Sequence, residues 1–192
     1  MRICLFCGSA AGRRPEYLAS ARDMGRALAR RGMGLVNGGG HVGLMGAAAD
    51  GALFAGGEAI GVIPRALMDR ELGHKGMTEL RVVETMHERK ALMAELSDGF
   101  AALPGGIGTL EELFEAWTWA GLGIHEKPVG VLDVGGYFDP LLEMADRMVA
   151  EGFLPEHLRA SLIVARDPDE LIDALVAYRP SASRFAPAGV KP

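Results

Sequence analysis

The sequence predicts an α/β protein with a doubly wound, mostly parallel sheet, Rossmann-like and three-layered. Three observations predict it. Short apolar runs alternate with amphipathic stretches along nearly the whole chain, the rhythm of repeated βαβ units. The apolar runs are continuous rather than alternating, as strands buried on both faces require. Glycine is in excess, 27 of 192 residues, where an average usage of ~7% would give about 13. There is no G-x-y period to suggest collagen, so the glycines are expected at tight turns and close backbone approaches.

Taken in order, Ile3–Cys7 reads as a buried first strand. Pro15–Arg31 reads as a helix with Leu18, Ala21, Met24 and Leu28 on one face. Gly34–Asn37 is the second strand, followed by a glycine run and a helix over Leu44–Ala55. Ala59–Ile63 is the third strand, stopped by Pro64, and the polar stretch Arg65–Gly76 leads to a strand at Leu80–Glu84. A helix over His87–Leu96, a strand at Phe100–Leu103 and a helix from Leu110 to Ala120 come next. Strands at Val129–Val134 and Leu162–Ala165 flank a helix at Pro140–Ala150, and Pro168–Tyr178 is the last helix. Residues 1–179 read as a single nucleotide-binding α/β domain, and 180–192, rich in Pro, Ala and Ser, as a disordered tail.

Bulk numbers exclude several classes. A net charge of −5 argues against a nucleic-acid binder, which would carry a basic surface. No apolar run approaches the ~18 residues of a membrane span, and the N-terminus lacks a secretory signal, so a cytoplasmic protein is expected. Cys4 and Cys7 form a C-x-x-C, but residues three apart on a strand face opposite ways. With no second such pair and five scattered histidines, two buried structural thiols are expected, and no metal site and no cofactor.

In doubly wound sheets, ligands bind outside the carboxyl ends of strands. Three strand ends here carry loops of small residues: Gly8-Ser9-Ala10, Gly38–Gly43 and Pro104–Thr109. Their convergence suits a nucleotide-sized anion. Gly38–Gly43 spells G-x-G-x-x-G, but after the second strand and with no acidic residue at the end of the third. It admits three readings: a phosphate or ribose contact, a dinucleotide site, or turn geometry alone. In Pro104–Glu112, Gly105, Gly106 and Gly108 let backbone N–H groups face a ligand, and Thr109 opens a helix whose dipole favours phosphate. Thr109-x-x-Glu112 also reads as a capping box, which competes with a catalytic role for Glu112. Glu111, about 100° away on the helix, reads as solvated. Arg89 and Lys90 sit in a first helical turn, where the dipole disfavours cations unless an anion lies nearby. Of Trp117 and Trp119, one is expected in the core and one at a pocket or subunit contact.

The motifs GGGHVGLMG (38–46), GVIPRALMDREL (61–72), MHERK (86–90), PGGIGTLEE (104–112) and GYFDPLL (136–142) together resemble the Lonely-guy family of cytokinin riboside 5′-monophosphate phosphoribohydrolases. Members of this family are often labelled possible lysine decarboxylases. The resemblance runs nearly end to end, with Asn37, Ala10 and Gly121 where the family commonly has tyrosine, serine and glutamine. It implies hydrolysis of an adenosine 5′-monophosphate at its N-glycosidic bond, with Arg89 and Glu112 catalytic. It also implies contacts to the nucleotide from Gly8, Ser9, Gly40, Gly43, Met86, Lys90, Gly105, Gly106, Ile107, Gly108 and Thr109, with Glu71 and Thr118 as weaker candidates, and a homodimer that shares its pockets. A decarboxylase would need a Schiff-base lysine, and only Lys75, Lys90, Lys127 and Lys191 exist. The rival from another class is a nucleotide sensor or cofactor carrier on the same scaffold.

Overall fold

The computed structural model describes residues 1–68 and 73–180. Seven strands form one sheet: β1 (Arg2–Phe6), β2 (Gly34–Asn37), β3 (Ala59–Pro64), β4 (Glu79–Val83), β5 (Gly99–Ala102), β6 (Val129–Leu132) and β7 (Leu162–Ala165). The helices are α1 (Pro15–Arg30), α2 (Gly43–Phe54), α3 (Arg65–Met68), α4 (Met86–Glu95), α5 (Ile107–Gly121), α6 (Asp139–Ala150), α7 (Glu156–Ser161) and α8 (Pro168–Ala177), with a 3-10 turn at Val134–Gly136. All pairings are parallel, in the order β4-β3-β2-β1-β5-β6-β7. The fold is thus the expected doubly wound sheet, parallel throughout.

The two faces of each strand feed different cores. Ile3, Leu5 and Cys7 pack with α1, α2 and α8, whereas Cys4 and Phe6 pack with α4, α5 and α6. This is the period-two alternation of a strand buried on both sides. Cys4 and Cys7 are free and buried in opposite layers, as their spacing requires. Burial pushes the Cys7 thiol up to about 12, reinforced by the nearby charge of Glu112. Trp117 lies in the core, its indole N–H donating to the Leu158 carbonyl at 3.1 Å, while Trp119 lines a small cavity beside Glu112.

Several elements differ from the sequence expectation. The short helix α3 starts the stretch expected to be only polar, and β6 ends at Leu132, giving way to a 3-10 turn where a strand was expected to Val134. α7 is a six-residue helix after Pro155, too short to display an amphipathic period. α5 begins at Ile107, three residues before the expected start, with Gly106 at its N-cap. The expected tail falls almost wholly on 181–192, outside the described residues.

The order of strands reverses between β1 and β5, where successive connections leave in opposite directions. Such a switch point opens a crevice at the carboxyl ends of the two strands. Here the Gly8 N–H donates to the Pro104 carbonyl at 3.1 Å, tying the loop after β1 to the loop after β5.

Candidate active site

A cleft of about 450 Å³ occupies this edge, within the range of small-molecule sites. Gly8 and Ser9 line it from β1, Gly38 and Gly40 from β2, and Met86 and Arg89 from α4. Gly106, Ile107, Gly108, Thr109 and Glu112 line it from the start of α5. A roomier groove of about 590 Å³ lies at the opposite edge, lined by Arg2, Glu58 and Asp98, with Arg2 and Glu58 already paired at 2.7 Å.

The start of α4 carries a variant of the capping box that the sequence suggested for α5, with the carboxylate reaching the residue before the N-cap. Thr85 is the N-cap, its hydroxyl accepting the Glu88 N–H at 3.1 Å, and the Glu88 carboxylate accepts the Glu84 N–H at 3.0 Å. One turn in, Arg89 is drawn inward and 8% exposed. Its Nε donates to the Val62 carbonyl on β3 at 3.1 Å. The guanidinium passes so close to Gly38 that a Cβ there would lie 1.5 Å from Nη2. Gly38 is therefore the opening through which Arg89 enters the cleft.

The glycine loop itself is held by Asn37, fully buried at the end of β2. Its Nδ2 donates to the Met45 carbonyl at 3.1 Å, and its Oδ1 accepts the Gly39 N–H at 2.8 Å. Gly43 does not line the cleft. It takes a left-handed φ of 64° with its Cα against the Ser9 backbone, where a Cβ would meet Ser9 at 2.4 Å. The G-x-G-x-x-G run thus serves a guanidinium approach and a loop-to-loop contact.

Glu112 lies in the second turn of α5, not at N3, so it is no capping residue; Thr109 is the third helical residue. Thr109 is buried, with its hydroxyl against Gly105. The Glu112 carboxylate faces Arg89 at 4.0 Å, both side chains about nine-tenths buried. Burial raises the Glu112 carboxyl above the usual carboxylate range, and Arg89 only partly offsets that cost. A buried carboxyl with a raised pKa beside a guanidinium suits proton transfer near neutral pH.

Lys90 goes elsewhere. Its ammonium donates to Glu111 at 2.5 Å and to Glu115 at 3.0 Å on α5, and it does not line the cleft. The hydrogen bond to Glu111 holds it above the ordinary lysine range against a partial burial cost. This also corrects Glu111, expected to be solvated alone. Adjacent residues on a helix point about 100° apart, which sends Arg89 into the cleft and Lys90 to α5. Gly105 lines a neighbouring chamber of about 270 Å³ with Tyr17 and Tyr137. Thr118 is exposed on the outer face of α5, away from the cleft, and Glu71 lies outside the described residues. Sequence reasoning gave Tyr137 no role. It is legible only as part of the GYFDPLL motif, although its hydroxyl donates to the Gly105 carbonyl.

Fold and site together define a doubly wound α/β protein with a guanidinium–carboxylate pair at its switch point. Residues 45–175 match the family described as "Possible lysine decarboxylase". The chain is 50% identical over 179 residues to the cytokinin riboside 5′-monophosphate phosphoribohydrolase LOG of Oryza sativa subsp. japonica, covering 93% of this chain and 74% of the relative. It is 48% identical over 185 residues to LOG3 of Arabidopsis thaliana, covering 96% and 86%. The chain belongs to this LOG family of phosphoribohydrolases. Among solved structures, a molybdenum cofactor binding protein from Rippkaea orientalis superposes with a TM-score of 0.68 at 24% identity, covering 92% of this chain and 97% of that one. The molybdenum cofactor carrier protein of Chlamydomonas reinhardtii does so with 0.69 at 23%, covering 92% and 98%. At that identity the likeness is one of fold.

The decarboxylase description does not fit the residues. Pyridoxal chemistry needs a lysine in the site, and no described lysine lines the cleft. Lys90 is held by two glutamates, Lys127 donates to the Ala94 carbonyl at 2.7 Å, and Lys75 is exposed.

Proposed function

We propose that this protein hydrolyses the N-glycosidic bond of an adenosine 5′-monophosphate, N6-substituted as in cytokinin ribotides, giving the free base and ribose 5-phosphate. The observation that carries this reading is the pairing of Arg89 and Glu112 across one cleft at the open N-terminus of α5. The first N–H groups of that helix have no partners within it and suit a 5′-phosphate, which the dipole also favours. Gly106, Ile107 and Gly108 supply them. Bond cleavage passes through an oxocarbenium-like state. Glu112 in its carboxylate form stabilises that positive charge and takes the proton of the attacking water as oxygen bonds to C1′. The bond from C1′ to the base nitrogen breaks, and its electrons leave with the base. The base takes up a proton from solvent as Glu112 returns its own to water, and Arg89 orients the substrate by charge-assisted hydrogen bonds.

The test is direct. Purified protein incubated with adenosine 5′-monophosphate and its N6-isopentenyl derivative is expected to release base and ribose 5-phosphate in equal amounts, read by chromatography. Tight nucleotide binding with no base released on long incubation would replace this reading with that of a carrier.

A homodimer is part of the proposal. Large apolar side chains are exposed at Phe114, Leu122 and Ile124 along α5 and its exit, and at Met144 and Phe153 on and after α6. Thr118 lies four residues from both Phe114 and Leu122, on the same helical face. It would therefore sit in such an interface, in reach of a second subunit rather than of its own cleft. Light scattering on the eluting protein is expected to give about twice the chain mass of 20.3 kDa, and Ile124→Asp to give the single-chain value. No helix among the described residues is long and apolar enough to cross a membrane.

A further inference from the structure

We propose that Tyr137 is a positioning residue for the phosphate-holding loop, an inference that rests on the nucleotide reading of the cleft. The Tyr137 hydroxyl donates to the Gly105 carbonyl from the chamber behind the loop. Peptide groups are planar and trans, and no cis bond occurs among the described residues, so holding the Gly105 carbonyl to one side turns the Gly106 N–H to the other. That side is the cleft containing Arg89 and Glu112, because Gly106 lines both the chamber and the cleft. The preceding carbonyl, Pro104, is held by the Gly8 N–H at 3.1 Å. Two successive carbonyls are therefore engaged immediately before α5, which fixes the backbone that presents the N–H groups following them.

Tyr137 is itself held in place, as a positioning group must be. Its ring meets Tyr17 edge-on at 5.6 Å and Phe138 edge-on at 5.2 Å. The turn that carries it is tied at both ends. The buried Asp133 carboxylate accepts the Phe138 N–H at 2.8 Å, and the Arg14 guanidinium donates to the Gly135 carbonyl at 3.3 Å while lying over the Tyr17 ring. Arg14, Tyr17, Asp133 and Tyr137 form a latch that holds the loop by the Gly105 carbonyl. Without the hydroxyl, the 105–106 peptide is free to rotate and presents its N–H to the phosphate only part of the time.

Tyr137→Phe removes the hydroxyl and keeps both ring contacts. The expected result is a KM for adenosine 5′-monophosphate raised about three- to tenfold, the scale of one neutral hydrogen bond, with kcat little changed. Inhibition by ribose 5-phosphate should weaken by the same factor, and adenine binding should not move. A purely structural role would lower the melting temperature or kcat and would not separate the phosphate-bearing ligand from the base. Unchanged affinity for ribose 5-phosphate in Tyr137→Phe overturns the proposal. Titration calorimetry with ribose 5-phosphate decides this without turnover. If the native protein releases no base, the hydrolase reading fails while the calorimetric comparison still decides the role of Tyr137.

Discussion

Glu112→Gln is expected to lower turnover by about 10²- to 10⁴-fold, the contribution typical of a positioned general base, while the protein melts at the same temperature or slightly higher. The second half follows from the sign of the linkage. Burial raises the Glu112 carboxyl above its unfolded value, so the fold favours the protonated form. Its stabilising contribution is full below the unfolded pKa and is lost as pH rises through the folded one. At neutral pH the carboxylate is a cost of folding, and a neutral glutamine of the same shape relieves it. Activity runs the other way. The reaction needs the carboxylate, so the native rate should rise with pH through a midpoint above the usual carboxylate range. A melting curve and a pH–rate profile on the two proteins check both parts. A large drop in melting temperature with turnover intact would return Glu112 to a structural role.

The second large effect is expected from a residue that carries no functional group. Gly38→Ala should reduce kcat/KM by about 10²-fold or more, since displacement of a catalytic group by about 1 Å has that scale. The added methyl would lie 1.5 Å from Arg89 Nη2 and 2.7 Å from its Cζ, so the guanidinium must leave its bond to Val62. The other nearby atom is the Met45 sulfur at 3.1 Å, a contact that a flexible side chain relieves. Stability should therefore fall by only about 1 kcal/mol, the low end for overpacking, which in a domain of this size is about 2–4 °C in Tm. Activity and stability measured on Gly38→Ala and Arg89→Ala should place the two variants together in rate. Full activity in Gly38→Ala would mean that Arg89 acts from a different position.

The five inner strands were legible because each is a short apolar run buried on both faces, whereas the edge strands β4 and β7 are partly exposed and β4 carries Glu79 and Arg81. The meeting of three small-residue loops followed from topology, since all of them end parallel strands. Other features were hidden for physical reasons. The threonine in PGGIGTLEE looks like an N-cap, but a glycine N-cap starts α5 earlier and leaves Thr109 to pack on Gly105. Arg89 and Lys90 are equivalent as neighbours in sequence, and only the 100° step of a helix sends one into the cleft and the other against α5. Lys90 then finds Glu111 and Glu115, whose pairing depends on how α4 lies against α5. Asn37 and Tyr137 act through backbone carbonyls and amides, which side-chain patterns do not reveal.

The β1–β5 junction also bears on how the molecule assembles. The first strand cannot finish its sheet with what is made next; β2 covers only one of its edges. The other edge waits for β5, and the Arg2 N–H reaches Asp98, a residue 96 positions away in the chain. Pairings so distant in sequence are slow to close, because chain entropy is lost before contacts compensate it. The loops that form the cleft face each other only after this closure, so catalytic activity is expected not to appear before it. Recovered turnover during refolding would therefore time the joining of the two half-sheets, whereas recovered helix content would report earlier, local events.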